Sequence, residues 1–358
     1  VQLRPSGIGP VGLKAIPERN LFVASTEKDE ADAGIPTMIN IYTLSRGSAQ
    51  YPMIVSEEDD GGLPIPWVAL SGLAAHLNAE DMLYGVSDSF LAKGFIYSID
   101  AASHPAVIYD RLEVAIEDLD LEGIAVGPDD SFWLASEGNG DTRPNAIFKV
   151  NDLGEVVATV GLPQELEDNA RKNGFEGIAV TGDAGAEVVY VAIQRAWPDA
   201  GDTDKVNTKI GRYDVVSEKW SFVHYPLNPE GEGGWIGLSE LTLLPDDQFA
   251  VIERDKGWGP TTGPIARLKA IYTIDLENAE FRPYNDANGL VTINKTLFLD
   301  VLPELEKRSI WTTEKLEGFA VDADGNIFCV TDNDGLDEAP GETLFFSPGN
   351  IDDLTSLQ

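Results

Sequence analysis

The sequence predicts an all-β fold: a single domain over residues 1–358, closed as a β-propeller of six four-stranded antiparallel blades. Three observations predict it. A short motif recurs six times, each copy is followed by a turn and a second apolar run, and further alternating runs complete several of the units. A period of this kind marks a repeat architecture, in which one supersecondary unit buries its apolar face only by stacking on its neighbours.

The motif is a small or acidic residue, usually followed by glycine, then alternating apolar residues. Its copies are Val11-Gly12-Leu13, Ser71-Gly72-Leu73-Ala74, Glu122-Gly123-Ile124-Ala125-Val126, Glu176-Gly177-Ile178-Ala179-Val180, Ser239-Glu240-Leu241-Thr242-Leu243 and Glu317-Gly318-Phe319-Ala320-Val321. Period-two alternation is that of a half-buried strand. Turn residues follow, such as Pro128-Asp129-Asp130, Pro245-Asp246-Asp247 and Asp322-Ala323-Asp324-Gly325. The next apolar runs, among them Phe132-Trp133-Leu134-Ala135 and Ile327-Phe328-Cys329-Val330, make each motif the first arm of a β-hairpin. Third strands are read at Phe95-Ile96-Tyr97, Ile147-Phe148-Lys149-Val150 and Ile271-Tyr272-Thr273-Ile274, and fourth strands at Val107-Ile108-Tyr109 and Val156-Val157-Ala158.

The blades then cover approximately 9–60, 61–114, 115–163, 173–227, 235–285 and 314–350, the last joined by 1–8. The final unit ends in Phe345-Phe346-Ser347 with no fourth strand behind it, and Val1-Gln2-Leu3 precedes the first unit with no blade of its own. Closure of the ring predicts that this terminus pairs with the last blade and covers its open edge. Helical patterning is confined to 164–172 and 302–307, both between a fourth strand and the next first strand.

Composition excludes several functions. Acidic residues number 61 against 25 basic ones, a formal charge of -36, so the surface repels nucleic-acid backbones and anionic membranes and attracts divalent cations. No apolar run reaches the length that spans a bilayer. Cys329 is the one cysteine, so no intrachain disulfide forms, and its place in an apolar run reads as packed rather than reactive. With His76, His104 and His224 widely separated, the sequence offers no zinc site. The chain opens on Val1 without a basic-then-apolar signal, which leads to the expectation of a processed periplasmic or secreted protein, acting as a monomer.

The stretch Asp120-Leu121-Glu122-Gly123-Ile124-Ala125, continuing through Phe132-Trp133-Leu134-Ala135-Ser136-Glu137-Gly138 to Ile147-Phe148-Lys149-Val150, resembles the phytase-like family, whose members are described as having esterase-like activity. Asn173-Gly174-Phe175-Glu176-Gly177-Ile178-Ala179, Leu316-Glu317-Gly318-Phe319 and Val330-Thr331-Asp332-Asn333 are similar to it as well. The resemblance implies an exported bacterial propeller with phosphoester or related ester hydrolase activity. The Asp-Asp-Pro-Ala-Ile-Trp segment of the better-known propeller phytases is missing, so phytate does not follow as the substrate.

In an antiparallel hairpin the start of the first strand lies beside the end of the second. This places Glu122, Glu176, Glu240 and Glu317 near Glu27, Asp88, Glu137, Gln194-Arg195, Glu253-Arg254 and Asp332-Asn333-Asp334 at one mouth of the channel. Converging carboxylates do not all stay ionised without a cation among them. Hard oxygen ligands from several blades suit calcium, with Glu122, Glu176, Glu317, Asp332 and Asp334 as the metal ligands. The alternative for a glutamate repeated at one blade position is a bond to the neighbouring blade's backbone. Arg195 and Arg254 break the repeat and suit a clamp on a substrate oxyanion, or an ion pair with a rim glutamate.

No Gly-x-Ser-x-Gly elbow is present, so the reading is metal-assisted hydrolysis of a small anionic ester, with Glu137 or Glu253 orienting the attacking water. A lactone-hydrolysing propeller is a variant, and a non-catalytic, metal-stiffened propeller that binds a ligand or protein is the competing class. The Asp199, Asp202 and Asp204 series resembles a calcium loop only loosely and reads as a solvated loop.

Overall fold

Six sheets form, antiparallel but for one edge strand, each carrying one copy of the motif, in a computed structural model that describes residues 6–29, 36–47, 51–139, 141–170, 172–197, 206–258, 265–308, 312, 314–336 and 343–355. Sheet 1 has three strands, β1 (Pro10–Ile16), β2 (Leu21–Thr26) and β3 (Ile39–Thr43). Sheet 2 has five, in the order β4-β8-β7-β6-β5, from β4 (Ile54–Ser56), β5 (Leu70–Ala75), β6 (Met82–Ser87), β7 (Lys93–Asp100) and β8 (Ala106–Glu117). Sheet 3 holds β9 (Leu121–Val126), β10 (Phe132–Ser136), β11 (Ala146–Val150) and β12 (Val156–Gly161). After α1 (Gln164–Glu167), sheet 4 holds β13 (Phe175–Thr181), β14 (Val188–Ile193), β15 (Asn207–Asp214) and β16 (Lys219–Pro226). Sheet 5 holds β17 (Ile236–Leu243), β18 (Phe249–Asp255), β19 (Lys269–Ile274) and β20 (Thr296–Asp300). After α2 (Leu302–Arg308), sheet 6 has three strands, β21 (Leu316–Val321), β22 (Asn326–Thr331) and β23 (Phe345–Asn350), and ends in α3 (Ile351–Thr355). No helix among the described residues is long and apolar enough to cross a membrane.

The hairpin turns are those the sequence suggests. Asp130 and Asp247 take the left-handed conformation with φ of 59° and 63°, and Gly325 does so at 82°. The Asp322 carboxylate accepts from the Asp324 and Asn326 amides at 3.0 and 2.8 Å, so this acidic run is a hairpin turn at the end away from the carboxylate mouth.

Five of the six sheets, not six, surround the axis. Apolar cores lie between sheets 2 and 3 (Val86, Ile96, Leu121, Leu134), 3 and 4 (Trp133, Ile147, Ile178, Val191) and 4 and 5 (Tyr190, Ile210, Leu241, Val251). A fourth joins sheets 5 and 6 (Ile252, Ile271, Phe319, Cys329), and a fifth returns from sheet 6 to sheet 2 (Phe328, Val330, Leu73, Leu83). None of these cores contains a described residue of sheet 1. That sheet leaves Ile39 and Ile41 68% and 64% exposed, and β4, expected to end the first unit, pairs instead in parallel with β8 at the outer edge of sheet 2. Repeat counting from sequence finds units and is blind to which neighbour each unit stacks on. The expected pairing of Val1–Leu3 with the last sheet lies outside the described residues.

Glycine follows from this closure. A Cβ on Gly123 would stand 2.4 Å from the Glu176 carbonyl oxygen, and one on Gly177 would stand 1.9 Å from the Leu241 amide nitrogen. The first strands pass so closely that no side chain fits between them. Sheet 5 carries Glu240 at this level, where Gly72, Gly123, Gly177 and Gly318 stand in the others. Its buried carboxylate accepts from the Leu73 amide of β5 at 3.1 Å, reaching across the axis. Burial holds the Glu240 carboxyl well above the ordinary range, against the lowering effect of its bonds to backbone. Beyond it, toward the other end, an apolar recess of about 370 Å³ is lined by Leu73, Ile124, Ile178, Leu241 and Val321.

Gly177→Ala is expected to lower the unfolding free energy by about 1–3 kcal/mol or more, read as a fall in melting temperature. Gly231→Ala, where a Cβ meets nothing within 4 Å, serves as the control. Equal melting temperatures for the two would show that the first strands do not close this tightly.

Candidate metal centre at the mouth of the ring

Every first strand of the ring opens with a β-bulge. The register slips between Leu70 and Gly72, between Leu238 and Glu240, and between Leu316 and Gly318. In sheet 3 it slips at Leu121 to Gly123, and in sheet 4 between Phe175 and Ile178. A bulge leaves one residue unpaired and re-aims its side chain. The bulged positions are Ser71, Glu122, Glu176, Ser239 and Glu317.

Beside each bulge the residue after the second strand returns its amide to the carbonyl of the residue two before the bulge. Asp88 bonds Ala69 at 3.1 Å, Glu137 bonds Asp120 at 2.8 Å, Gln194 bonds Gly174 at 2.7 Å and Asp332 bonds Lys315 at 3.0 Å. In sheet 5 Arg254 stands opposite Gly237 in the ladder. Each sheet therefore presents one trio to the mouth: Ala69/Ser71/Asp88, Asp120/Glu122/Glu137, Gly174/Glu176/Gln194, Gly237/Ser239/Arg254 and Lys315/Glu317/Asp332.

Two groups of carboxylates bring their oxygens within 4.8 Å of one another, Asp120 with Glu122 and Glu137, and Asp88 with Asp332 and Asp334. Arg143 pairs with Asp120 and reaches Asp118 at 3.3 Å. Lys315 Nζ lies 3.0 Å from Asp332 Oδ2 and 2.5 Å from Asp334 Oδ1. Arg254 Nη2 donates to Glu317 Oε1 at 2.6 Å, and its Nε donates to Ser239 Oγ at 2.9 Å.

The charges do not balance. Burial, reinforced by Glu176, Asp120 and Glu137, holds the Glu122 carboxyl well above its usual range although part of its surface opens to the mouth. Burial and Glu317 do the same to Glu176. Asp88 and Glu137 are each pushed up to about 7, by burial first and then by Asp332 and by Asp120. Burial raises Asp332 despite Lys315. Desolvation opposes the charge on Lys315, but Asp332, Glu317, Glu122 and Asp334 outweigh it and hold the ammonium protonated. Glu176 and Glu317, each 2% exposed, keep one oxygen without a hydrogen-bond partner, Oε2 in both cases. A buried carboxylate oxygen left bare is costly unless a proton, water or cation meets it. The donor set is all oxygen, and it fits a hard divalent cation.

The residues expected from sequence do not all arrive. Glu122, Glu137, Glu176, Glu317, Asp332 and Asp334 line the mouth, and Arg254 lies among them. Glu253 does not: neighbours on a strand face opposite ways, and one residue's slip sends it to the other face of the sheet. It is fully buried between sheets 4 and 5, where it accepts from Tyr225 Oη at 2.8 Å and the Asn228 amide at 2.6 Å and pairs with Lys295. Glu240 is a blade-to-blade anchor, and Glu27 belongs to sheet 1. Arg195 stands one residue beyond its trio, 3.4 Å from Glu230 and with its guanidinium 4.6 Å from the centre of the Trp235 ring. The Arg254 guanidinium lies 5.5 Å from the centre of the same ring. Asn333 accepts from the Ala69 amide at 3.0 Å and ties sheet 6 to sheet 2. Asp199, Asp202 and Asp204 lie outside the described residues.

Sequence reasoning missed Asp120, Arg143, Trp235 and Lys315. The signal for Lys315 was present: Lys315-Leu316-Glu317-Gly318 departs from Asp120-Leu121-Glu122-Gly123 by a reversal of charge at the first position.

Several solved structures are similar over most of the chain. A gluconolactonase from Xanthomonas campestris is 12% identical over 79% of this chain and 78% of its own, with a TM-score of 0.39. A luciferin-regenerating enzyme is 14% identical over 78% and 76%, with a TM-score of 0.38. A streptogramin B lyase is 14% identical over 87% and 69%, with a TM-score of 0.34. None of the curated proteins matches the sequence. The family model described as esterase-like activity of phytase matches residues 65–335, from just before β5 to just beyond β22. The matched stretch holds all five first strands and every carboxylate of the mouth, leaving out only β4 and β23 of the ring's sheets, and the chain belongs to the phytase-like family.

Proposed function

We propose that the protein is a calcium-dependent hydrolase of phosphoesters or related small anionic esters, acting at the carboxylate mouth of the ring. The observation that carries this reading is the pair of bare, buried oxygens on Glu176 and Glu317 beside the Asp120, Glu122 and Glu137 group. Asp120, Glu122, Glu176 and Glu317 would hold the ion; Asp332 and Asp334, expected among its ligands from the sequence, are already paired with Lys315. A bound calcium ion would supply Lewis-acid polarisation of the ester oxygen.

The chain's own residues do the rest. Glu137 accepts from the Gly174 amide at 2.8 Å through one oxygen, and its carboxyl, held near 7, is poised to take a proton from water at neutral pH. Arg254 keeps Nη1 without a hydrogen bond, 3.7 Å from Glu314, as a donor for a substrate oxyanion. Arg195, on the outer face of Trp235, offers a second cation for the same charge. Lys315 and Arg143 hold the surrounding carboxylates in place.

In a hydrolysis assay against a phosphomonoester, a phosphodiester and a lactone, calcium is expected to support turnover of one class and chelation to abolish it. Glu137→Gln is expected to lower kcat by about 10²–10⁴-fold with the fold intact. No turnover on any class, with calcium still raising the melting temperature, would favour a non-catalytic, ligand-binding propeller.

Stability should also depend on pH in a defined direction. Unfolded carboxyls titrate near 4, whereas Asp88 and Glu137 keep their protons to about 7 in the fold. Between those values the native state binds more protons, so these groups contribute stability at low pH that is lost as pH rises through 7. The metal-free protein is therefore expected to melt at lower temperature at pH 8 than at pH 5. Calcium should flatten the profile, adding ~2.7 kcal/mol at a hundredfold excess over its dissociation constant. A metal-free profile that rises over this range would contradict the assignment.

A further inference from the structure

We propose that Lys315 is a built-in counter-cation that stands where a second divalent ion would otherwise bind, so that the mouth takes one ion, on the sheet 3 side. This rests on the metal-centre reading above and says how many ions that centre holds.

The repeat register carries the inference. Lys315, Glu317 and Asp332 occupy in sheet 6 the positions that Asp120, Glu122 and Glu137 occupy in sheet 3, with the same bulge and the same amide-to-carbonyl bond. The two trios differ in sign at one position only. Where sheet 3 has a carboxylate, sheet 6 has an ammonium, and that ammonium lies 3.0 Å from Asp332 and 2.5 Å from Asp334, the two carboxylates gathered with Asp88. A divalent ion among those oxygens would stand within a few ångströms of a fixed positive charge, in a partly desolvated site where like-charge repulsion is strong. The ammonium nevertheless leaves the sheet 6 trio incompletely served: Glu317 keeps Oε2 bare while its Oε1 is held by Arg254. That bare, buried oxygen is left for the one ion of the centre.

The test is calcium stoichiometry on the full chain, by titration calorimetry after removal of bound metal, with circular dichroism to confirm the fold of each variant. Wild type is expected to bind one ion and Lys315→Asp two, while Asp120→Lys, the reciprocal change, should bind none. Lys315→Gln removes the charge without adding a ligand and should admit the second ion more weakly; it decides the matter if Lys315→Asp does not fold. Wild type with two ions, or folded Lys315 variants that still bind only one, would overturn the proposal. Wild type with no ion sinks the metal-centre reading instead. In that case a gain of one ion in Lys315→Asp still supports the counter-cation role, and no gain overturns it.

Discussion

The close passage of five first strands around one axis is the constraint on which the rest of the molecule depends. Between Gly123 and Glu176, and again between Gly177 and Leu241, backbone meets backbone with no room for a Cβ. The same crowding forces each strand to shed one residue from the ladder before it enters the narrow part of the ring. The shed residue is the one that faces the mouth. Packing and chemistry therefore share a cause: the Glu-Gly pair sets a carboxylate at the rim and a glycine at the waist.

Crowding at the rim then sets the electrostatics. Among the described residues, Asp88, Asp120, Glu122, Glu137, Glu176, Glu317, Asp332 and Asp334 face the cations Arg143, Arg254 and Lys315. Burial raises the cost of each unbalanced charge, and the upward shifts at Asp88, Glu122, Glu137 and Glu176 express that cost. Protons or a cation must make up the difference. Glu122, Glu176 and Glu317 hang on bulges, and Asp88, Glu137 and Asp332 are tied beside bulges by their amide-to-carbonyl bonds, so the carboxylates are held close by the backbone.

Much of this was legible in the sequence. The motif copies, the hairpin turns and the convergence of Glu122, Glu137, Glu176, Glu317 and Asp332 all follow from alternation and from antiparallel geometry. What was not legible has a physical reason in each case. Glu253 and Arg254 are adjacent, and alternation along the regular strand β18 turns only one of them, Arg254, to the mouth, a distinction that needs the strand counted from its turn. Glu240 lies beside a serine that is the true counterpart of the other glutamates, so it takes the glycine position and bonds backbone. Sheet 1 carries the motif, including Gly12, but a motif records what one hairpin does internally. Which sheet it packs against is decided by apolar faces far apart in sequence, and sheets 6 and 2 bury theirs against each other.

The Glu240 carboxylate has a consequence for traffic. Anchored across the axis to the Leu73 amide, it stoppers the ring below the acidic rim and separates that rim from the apolar recess at the other end. The cleft is a cul-de-sac. A molecule that enters from the rim must leave by the same doorway, one at a time. A long polymer cannot thread through; it can offer only a free end or a projecting group to the carboxylates.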